Sequence, residues 1–355
     1  MTESLQEHYR GLGAQLAPDG IPLHFGDLLA EYEAALNAAV LMDRSHEARL
    51  LIDGSDRAVW IDRMSTNAIV DIQPGQVRAT LYTNANARVL DRVEILAQAD
   101  DSLLMLGGPG RGPALHNYLR RNIFFNDRVA LQNLAPATHQ LALHGPSATS
   151  VLARLLPAVA DVPLRHGLQG QIDGAAVTLL RLPAFSGQHW VLVMPVEAVS
   201  GIFRALLDVG AQPAGGLTYN TLRIRAGVPG VGRELTDAYI PLELGLWDEV
   251  SFTKGCYTGQ EILARMESRE RLARVLVRLN LPAMLDAPQP LFYEGRAVGE
   301  LTSSVTAPDG QVFAMGVVKV AQAVAGAELR VADAAGGPLA TVGERLGTPP
   351  PYLNS

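Results

Sequence analysis

From Ala273 onward, short apolar runs alternate with Gly, Pro and acidic-Gly turns such as Glu294-Gly295, Asp309-Gly310 and Gly336-Gly337-Pro338. That texture reads as a small all-β domain. Before it, strand-like and helix-like stretches mix, which gives an α+β class. The change near 275 separates residues 1–275 from a domain at 276–350. The length of 355 residues, at roughly 100–200 residues per domain, suggests two or three domains.

In the first region, Asp27 caps a helix expected over 27–42, with Leu29, Tyr32, Leu36 and Ala39/Val40 at helical spacing. Strands are expected at 48–52, in a meander from Val77 to Leu106, at 140–144, and in a hairpin of 176–182 with 189–194. Gly107 to Gly112 lacks the spacing of a phosphate loop and reads as a turn. Ser147 caps a short helix, and further helices are expected over 197–208 and 218–226, the last ended by Gly227.

Several function classes drop out. A net charge of −7 does not provide the basic footprint that DNA binding needs, and tRNA binding is not expected either. One cysteine, Cys256, excludes an internal disulfide and a cysteine-built metal cage. The eight histidines show no metal-binding spacing, and no GxSxG elbow occurs. With an acidic, polar N-terminus and no apolar run of about 18 residues, the chain reads as soluble and cytoplasmic.

Three places can carry chemistry. Asp91 shares strand parity with Val89, Val93 and Ile95. It either sits in a buried apolar face, where a carboxylate needs a hydrogen-bonding partner such as an N–H-rich heterocycle, or it meets solvent because the opposite face is buried. Arg225 borders the apolar stripe of its helix, either facing a ligand or reaching water over a packed stem. Thr253 to Glu261 holds Cys256 and Lys254, one of only two lysines, between glycines and ahead of a helix. A helix N-terminus and an ammonium both favour a thiolate, so Cys256 is either a nucleophile or transient metal ligand, or a small buried residue in a turn. Arg265, Arg269, Arg271, Arg274 and Arg278 follow, against only Glu267 and Glu270. That run either attracts a polyanion or is a solvated face.

The stretch Lys254-Gly255-Cys256-Tyr257-Thr258-Gly259-Gln260-Glu261 resembles the KGCYxGQE signature of the YgfZ/IBA57-type folate-binding proteins, iron–sulfur assembly or repair factors related to the aminomethyltransferase of glycine cleavage. Asp43-Arg44-Ser45, Ser65-Thr66-Asn67, Gly145-Pro146-Ser147-Ala148, Pro241-Leu242-Glu243 and Gly299 to Ser303 resemble further landmarks of that superfamily in order. The resemblance implies two interleaved subdomains and a C-terminal β-barrel around a central channel that holds tetrahydrofolate, with no permanently bound metal. It implies folate contacts from Asp91, Tyr219 and Arg225, and thiol chemistry at Cys256 with Lys254. Gly255, Tyr257, Gly259, Gln260, Glu261 and Arg265 complete the motif. The chain departs twice from the transferases: Arg92 stands where they carry a second acid, and Arg225 where they carry a Glu. A cation cannot accept hydrogen bonds from a pterin as a carboxylate does. Iron–sulfur enzymes or assembly proteins are the implied partners. The alternatives are an aminomethyltransferase and a folate-binding module without turnover.

Overall fold

The computed structural model describes residues 3–269 and 271–348; Glu270 and the last positions of the expected 276–350 domain lie outside the described residues. The chain divides into two units assembled from alternating segments. The first takes Met1–Ile61, Ile69–Ala79 and Val93–Leu222, and the second takes Asp62–Ala68, Thr80–Arg92 and Arg223–Ser355.

The first unit is organised on a six-stranded sheet. Its order is His166–Ile172, Ala175–Leu182, Gln188–Pro195, Thr138–Gly145, Val40–Asp43 and Gln212–Pro213. All its pairings are antiparallel except the last. Strand Gln188–Pro195 is buried along nearly its whole length, because both faces of the sheet are covered. One face packs Leu141, Leu143, Trp190 and Leu192 against Val151, Leu152, Ile202, Phe203 and Leu206 of helices Ala148–Ala153 and Val199–Asp208. The other joins Leu180, Val191 and Val193 to Val77, Leu96 and Leu104. A five-stranded sheet runs in the order Val77–Thr83, Val89–Ala97, Leu103–Pro109, Glu47–Asp53 and Ala130–Asn133, and its first two strands carry the chain into segments of the second unit.

The second unit holds a closed six-stranded barrel. Its order is Arg274–Asn280, Val312–Lys319, Arg296–Thr306, Gln289–Tyr293, Glu328–Val331 and Leu339–Arg345. Closure leaves no free sheet edge. Its interior is filled by Val277, Leu279, Leu291, Leu301, Val318 and Leu329, and burial of each such side chain contributes about 1.5–3 kcal/mol.

Three local expectations need correction, and one helix is unexpected. The helix expected over 27–42 is Leu28–Asn37, and Val40–Asp43 is a strand. Asp27 does cap the helix, accepting from Ala30 N at 3.0 Å. The apolar run 39–42 is wholly buried and pairs with Thr138–Gly145, so it belongs to a two-sided strand and not to a helical stripe. Ser147 precedes helix Ala148–Ala153 but makes no side-chain cap bond. The Gly107–Gly112 run is the end of one strand, a turn and the start of helix Gly112–Arg121. A Cβ at Gly107 would lie 3.1 Å from Leu115 Cδ2 and 3.2 Å from Ala48 Cβ, so glycine lets that helix sit close on its sheet. Finally, Glu3–Gly11 is a helix whose Leu5 and Tyr9, four residues apart, are fully buried. No helix among the described residues is long and apolar enough to cross a membrane.

Candidate functional site

The Lys254–Glu261 motif lies within the second unit, on the loop leading into helix Gln260–Ser268. Lys254 is its anchor. Its ammonium donates to the backbone carbonyls of Asp62, Ser65 (2.7 Å) and Asn67 (2.8 Å). The Asp62 carboxylate lies 3.5 Å away and the Tyr257 ring centroid 5.1 Å away. All three N–H donors are therefore committed to the 62–67 loop. Burial lowers the Lys254 pKa, and the Asp62 charge opposes that shift. The same loop is stitched on through Ser251 N to Thr66 O (2.9 Å) and Thr66 Oγ1 to Glu249 O (2.7 Å).

The rest of the motif is held as firmly. Tyr257 is buried in the barrel-side core, and burial pushes its phenol up to about 12. Thr83 Oγ1 donates to Thr258 O at 2.6 Å. Gly259 has φ +85°, and a Cβ there would lie 2.8 Å from Ala87 Cα and 2.9 Å from Asn84 O. Only glycine fits that left-handed, crowded step. Gln260 Nε2 donates to Lys254 O at 3.3 Å, and Glu261 pairs with Arg265 on the solvent side of the helix. Within this frame Gly255 and Cys256 are exposed. Thus the thiol projects from a loop whose neighbours on both sides are fixed.

Asp91 belongs to the same unit. Val89, Asp91, Val93 and Ile95 are all buried, Asp91 at 7% exposure, so the apolar parity of the strand is its buried face. Its neighbour Arg92 grips Glu249 with Nε at 2.9 and 2.7 Å from the two carboxylate oxygens and Nη2 at 2.6 Å from Oε1. Arg92 therefore serves a bidentate pair beside the 251–254 loop. Arg225 is half-buried, and its backbone carbonyl accepts from Arg278. The buried cation of that helix is Arg223, at 3.3 Å from Glu234 and 3.1 Å from Ser303 Oγ. Among the described residues, Arg265, Arg274 and Arg278 of the arginine run pair with Glu261, Glu243 and Glu344, while Arg269 and Arg271 are exposed.

Tyr219 lies in the first unit, in an aromatic cluster that sequence reasoning missed. His144 and His189 are direct cross-strand partners, and their rings stack at 4.0 Å. Phe185 stacks on His144 at 5.4 Å, Tyr219 meets both edge-on at 5.8 and 5.1 Å, and the Arg44 guanidinium lies 3.6 Å over the Tyr219 ring. His144 is fully buried, and neither ring nitrogen has a hydrogen-bond partner among the described residues. Only the register of two strands some 45 residues apart makes this cluster, and no local spacing signals it.

Burial moves His189 from 6.5 to about 4 and takes His144 well below its usual range. Each is neutral when folded but takes up a proton below about 6.5 when unfolded. Their contribution to stability is therefore complete above pH 6.5 and lost as pH falls toward 4, by about 3 kcal/mol for His189. The melting temperature should fall steeply across that window, and His189→Phe should flatten the slope. An unchanged slope in that variant would contradict the assignment.

No group of three or more His, Cys, Asp or Glu able to hold a metal occurs among the described residues. The family description GCVT N-terminal domain matches residues 20–254. The chain belongs to this family. It is 28% identical over 345 residues to a chloroplastic protein of Arabidopsis thaliana, At1g60990, whose name describes a transferase, covering 97% of this chain and 80% of that one. It is 28% identical to an aminomethyltransferase of Desulforamulus reducens, covering 90% of each chain. The fold matches the glycine cleavage aminomethyltransferase T of Bartonella henselae at TM-score 0.87 and 24% identity, over 98% of both chains. The aminomethyltransferase-like architecture expected from the motifs, with its terminal barrel, is thus present.

Proposed function

We propose that this member of the GCVT family is a tetrahydrofolate-binding factor that supports assembly or repair of iron–sulfur enzymes, with Cys256 as the group that meets its partner. The observation that carries this reading is the exposed thiol on an otherwise pinned loop. Such a thiol can reach a protein-borne thiol, persulfide or cluster edge without local rearrangement, and its surroundings limit the entropy lost on contact. One cysteine cannot hold a cluster alone, so the client or an assembly protein supplies the remaining ligands.

Asp91 fits one edge of a flat, hydrogen-bonding heterocycle. Asp91 is a carboxylate on an apolar face, which suits N–H donors of a pterin. Bound folate would supply a one-carbon carrier, while Asp91 would orient its amine-bearing edge.

Calorimetric titration with tetrahydrofolate tests this. Wild type should bind, and Asp91→Ala should raise Kd by about tenfold or more, the worth of hydrogen bonds to a charged acceptor. Absence of binding would remove folate from the proposal, and an unaltered affinity in Asp91→Ala would remove Asp91 from the folate contacts. A second reading, aminomethyl transfer to tetrahydrofolate, draws on the names of the relatives and on the buried Asp91. Ammonia release from an aminomethyl-lipoyl carrier would establish it, and Cys256 would then be dispensable.

A further inference from the structure

Away from both clusters, the first unit carries an aromatic tip. Phe124 and Phe125, three and four residues past the end of helix Gly112–Arg121, are 58% and 105% exposed. The tip is rigidly built. Asp127 N donates to Phe124 O at 3.0 Å, while Phe124 N donates to Asp127 Oδ2 at 2.7 Å. One end is tied by Trp60 Nε1 to Asn122 O at 3.0 Å, the other by Arg128 N to Asp56 Oδ2 at 2.9 Å. Two adjacent aromatic rings held in water by this much structure form a pre-organised anchor. Exposed Arg120 and Arg121 precede it and Arg128 follows, a basic rim on a chain of net charge −7.

The same unit carries a matching hollow. Leu104, Leu134, Val177 and Val193 floor a groove of about 290 Å³, rimmed by Gln98 and Gln169. A site of about 150 Å³ holds one benzene ring, so this one has room for the aromatic tip. Beyond Gln98 the turn exposes Asp100 and Asp101, an acidic edge opposite in sign to the basic rim of the tip. Short contacts link the two features: Arg128 to Asp56 (3.5 Å), and the adjacent Arg57 to Asp101 (3.3 Å). Anchor and hollow thus share one region, as a self-complementary two-fold interface requires.

We propose that this chain forms a two-fold homodimer in which the Phe124-Phe125 tip of each copy seats in the Leu104–Val177–Val193 groove of the other. Arginines beside each tip face the acidic turn beside each groove. The two paired insertions supply aromatic, Arg-flanked anchors of the type that dominate interface energetics.

Sedimentation velocity of the full chain from about 1 to about 200 µM tests it, since weak paired anchors place dissociation in that range. Wild type should show a reversible monomer–dimer equilibrium that weakens with salt. Replacing both tip residues, Phe124→Ser with Phe125→Ser, should raise the dissociation constant about 30-fold or more. Ala176→Trp, a substitution at an exposed groove position, should do the same by filling the hollow. Mixing these two variants should restore partial dimerisation, because one intact tip then meets one intact groove. A monomeric wild type, a dimer indifferent to both changes, or a mixture no better than its components would overturn the proposal. So would a monomer that instead sediments with phosphatidylglycerol vesicles through the tip.

Discussion

Cys256→Ser should leave the protein folded, with a melting temperature within about 2 °C of wild type, and yet abolish rescue of iron–sulfur enzyme activity in a deficient strain. The first half follows from exposure. Surface substitutions away from caps, cores and buried pairs usually change stability by about 0.5 kcal/mol or less, and the Cys256 side chain stands in solvent. The second half follows from chemistry, because the chain has no second thiol to take over and a serine hydroxyl is a poor nucleophile and soft-metal ligand beside a thiolate. Lys254→Met should behave in the opposite sense. It strips three partly buried carbonyls of their charged donor, at about 3 kcal/mol in all, so the melting temperature should drop along with function. Full rescue by Cys256→Ser would refute the role of the thiol, whatever the folate titration shows.

The second large effect is structural. Asp43 is buried in the first unit and accepts from Tyr9 Oη at 2.8 Å and Ser45 N at 2.8 Å, with His139 Nε2 at 2.9 Å. Burial pushes its carboxyl up, but the His139 charge and the hydrogen bonds from His139 and Ser45 outweigh that and hold it at about 2. Asp43→Ala leaves a buried imidazole and a buried phenol without their shared acceptor. Loss of one partner from such a group costs about 3–5 kcal/mol, which denaturant titration would read directly. The sign with pH is also set. Asp43 contributes fully above about pH 4, and its contribution disappears as pH falls through about 2. A loss below about 1 kcal/mol would mean that the neighbours re-pair or reach water.

These two sites also mark what a reader of the sequence can and cannot see. The Lys254–Glu261 stretch is legible because its chemistry is local: a unique thiol, a rare lysine and two glycines in eight positions. Strand parity narrows Asp91 to two options, and burial of Val89, Val93 and Ile95 decides between them. The use of Lys254 is not legible, since its acceptors lie near residue 65, far away along the chain. Nor is the His144–His189 stack, which exists only by strand register. Arg223, Glu234 and Ser303 likewise meet only in the folded unit. The misread end of the helix after Asn37 has a similar origin. Ala39 to Met42 is apolar at every position, and such a run suits a helix or a strand until its hydrogen-bonding partner is known.

The clasp between Lys254 and the carbonyl of Asp62 joins residues 192 positions apart. At about 5–20 residues added per second, a ribosome needs roughly 10–40 s to go from one to the other. During that interval the early loop has emerged without the side chain that fastens it, and the barrel that completes its unit is still unmade. The Cys256 loop therefore gains its finished mount only after the strands of residues 274–345 have been made, and a chain terminated before residue 256 carries no thiol at all.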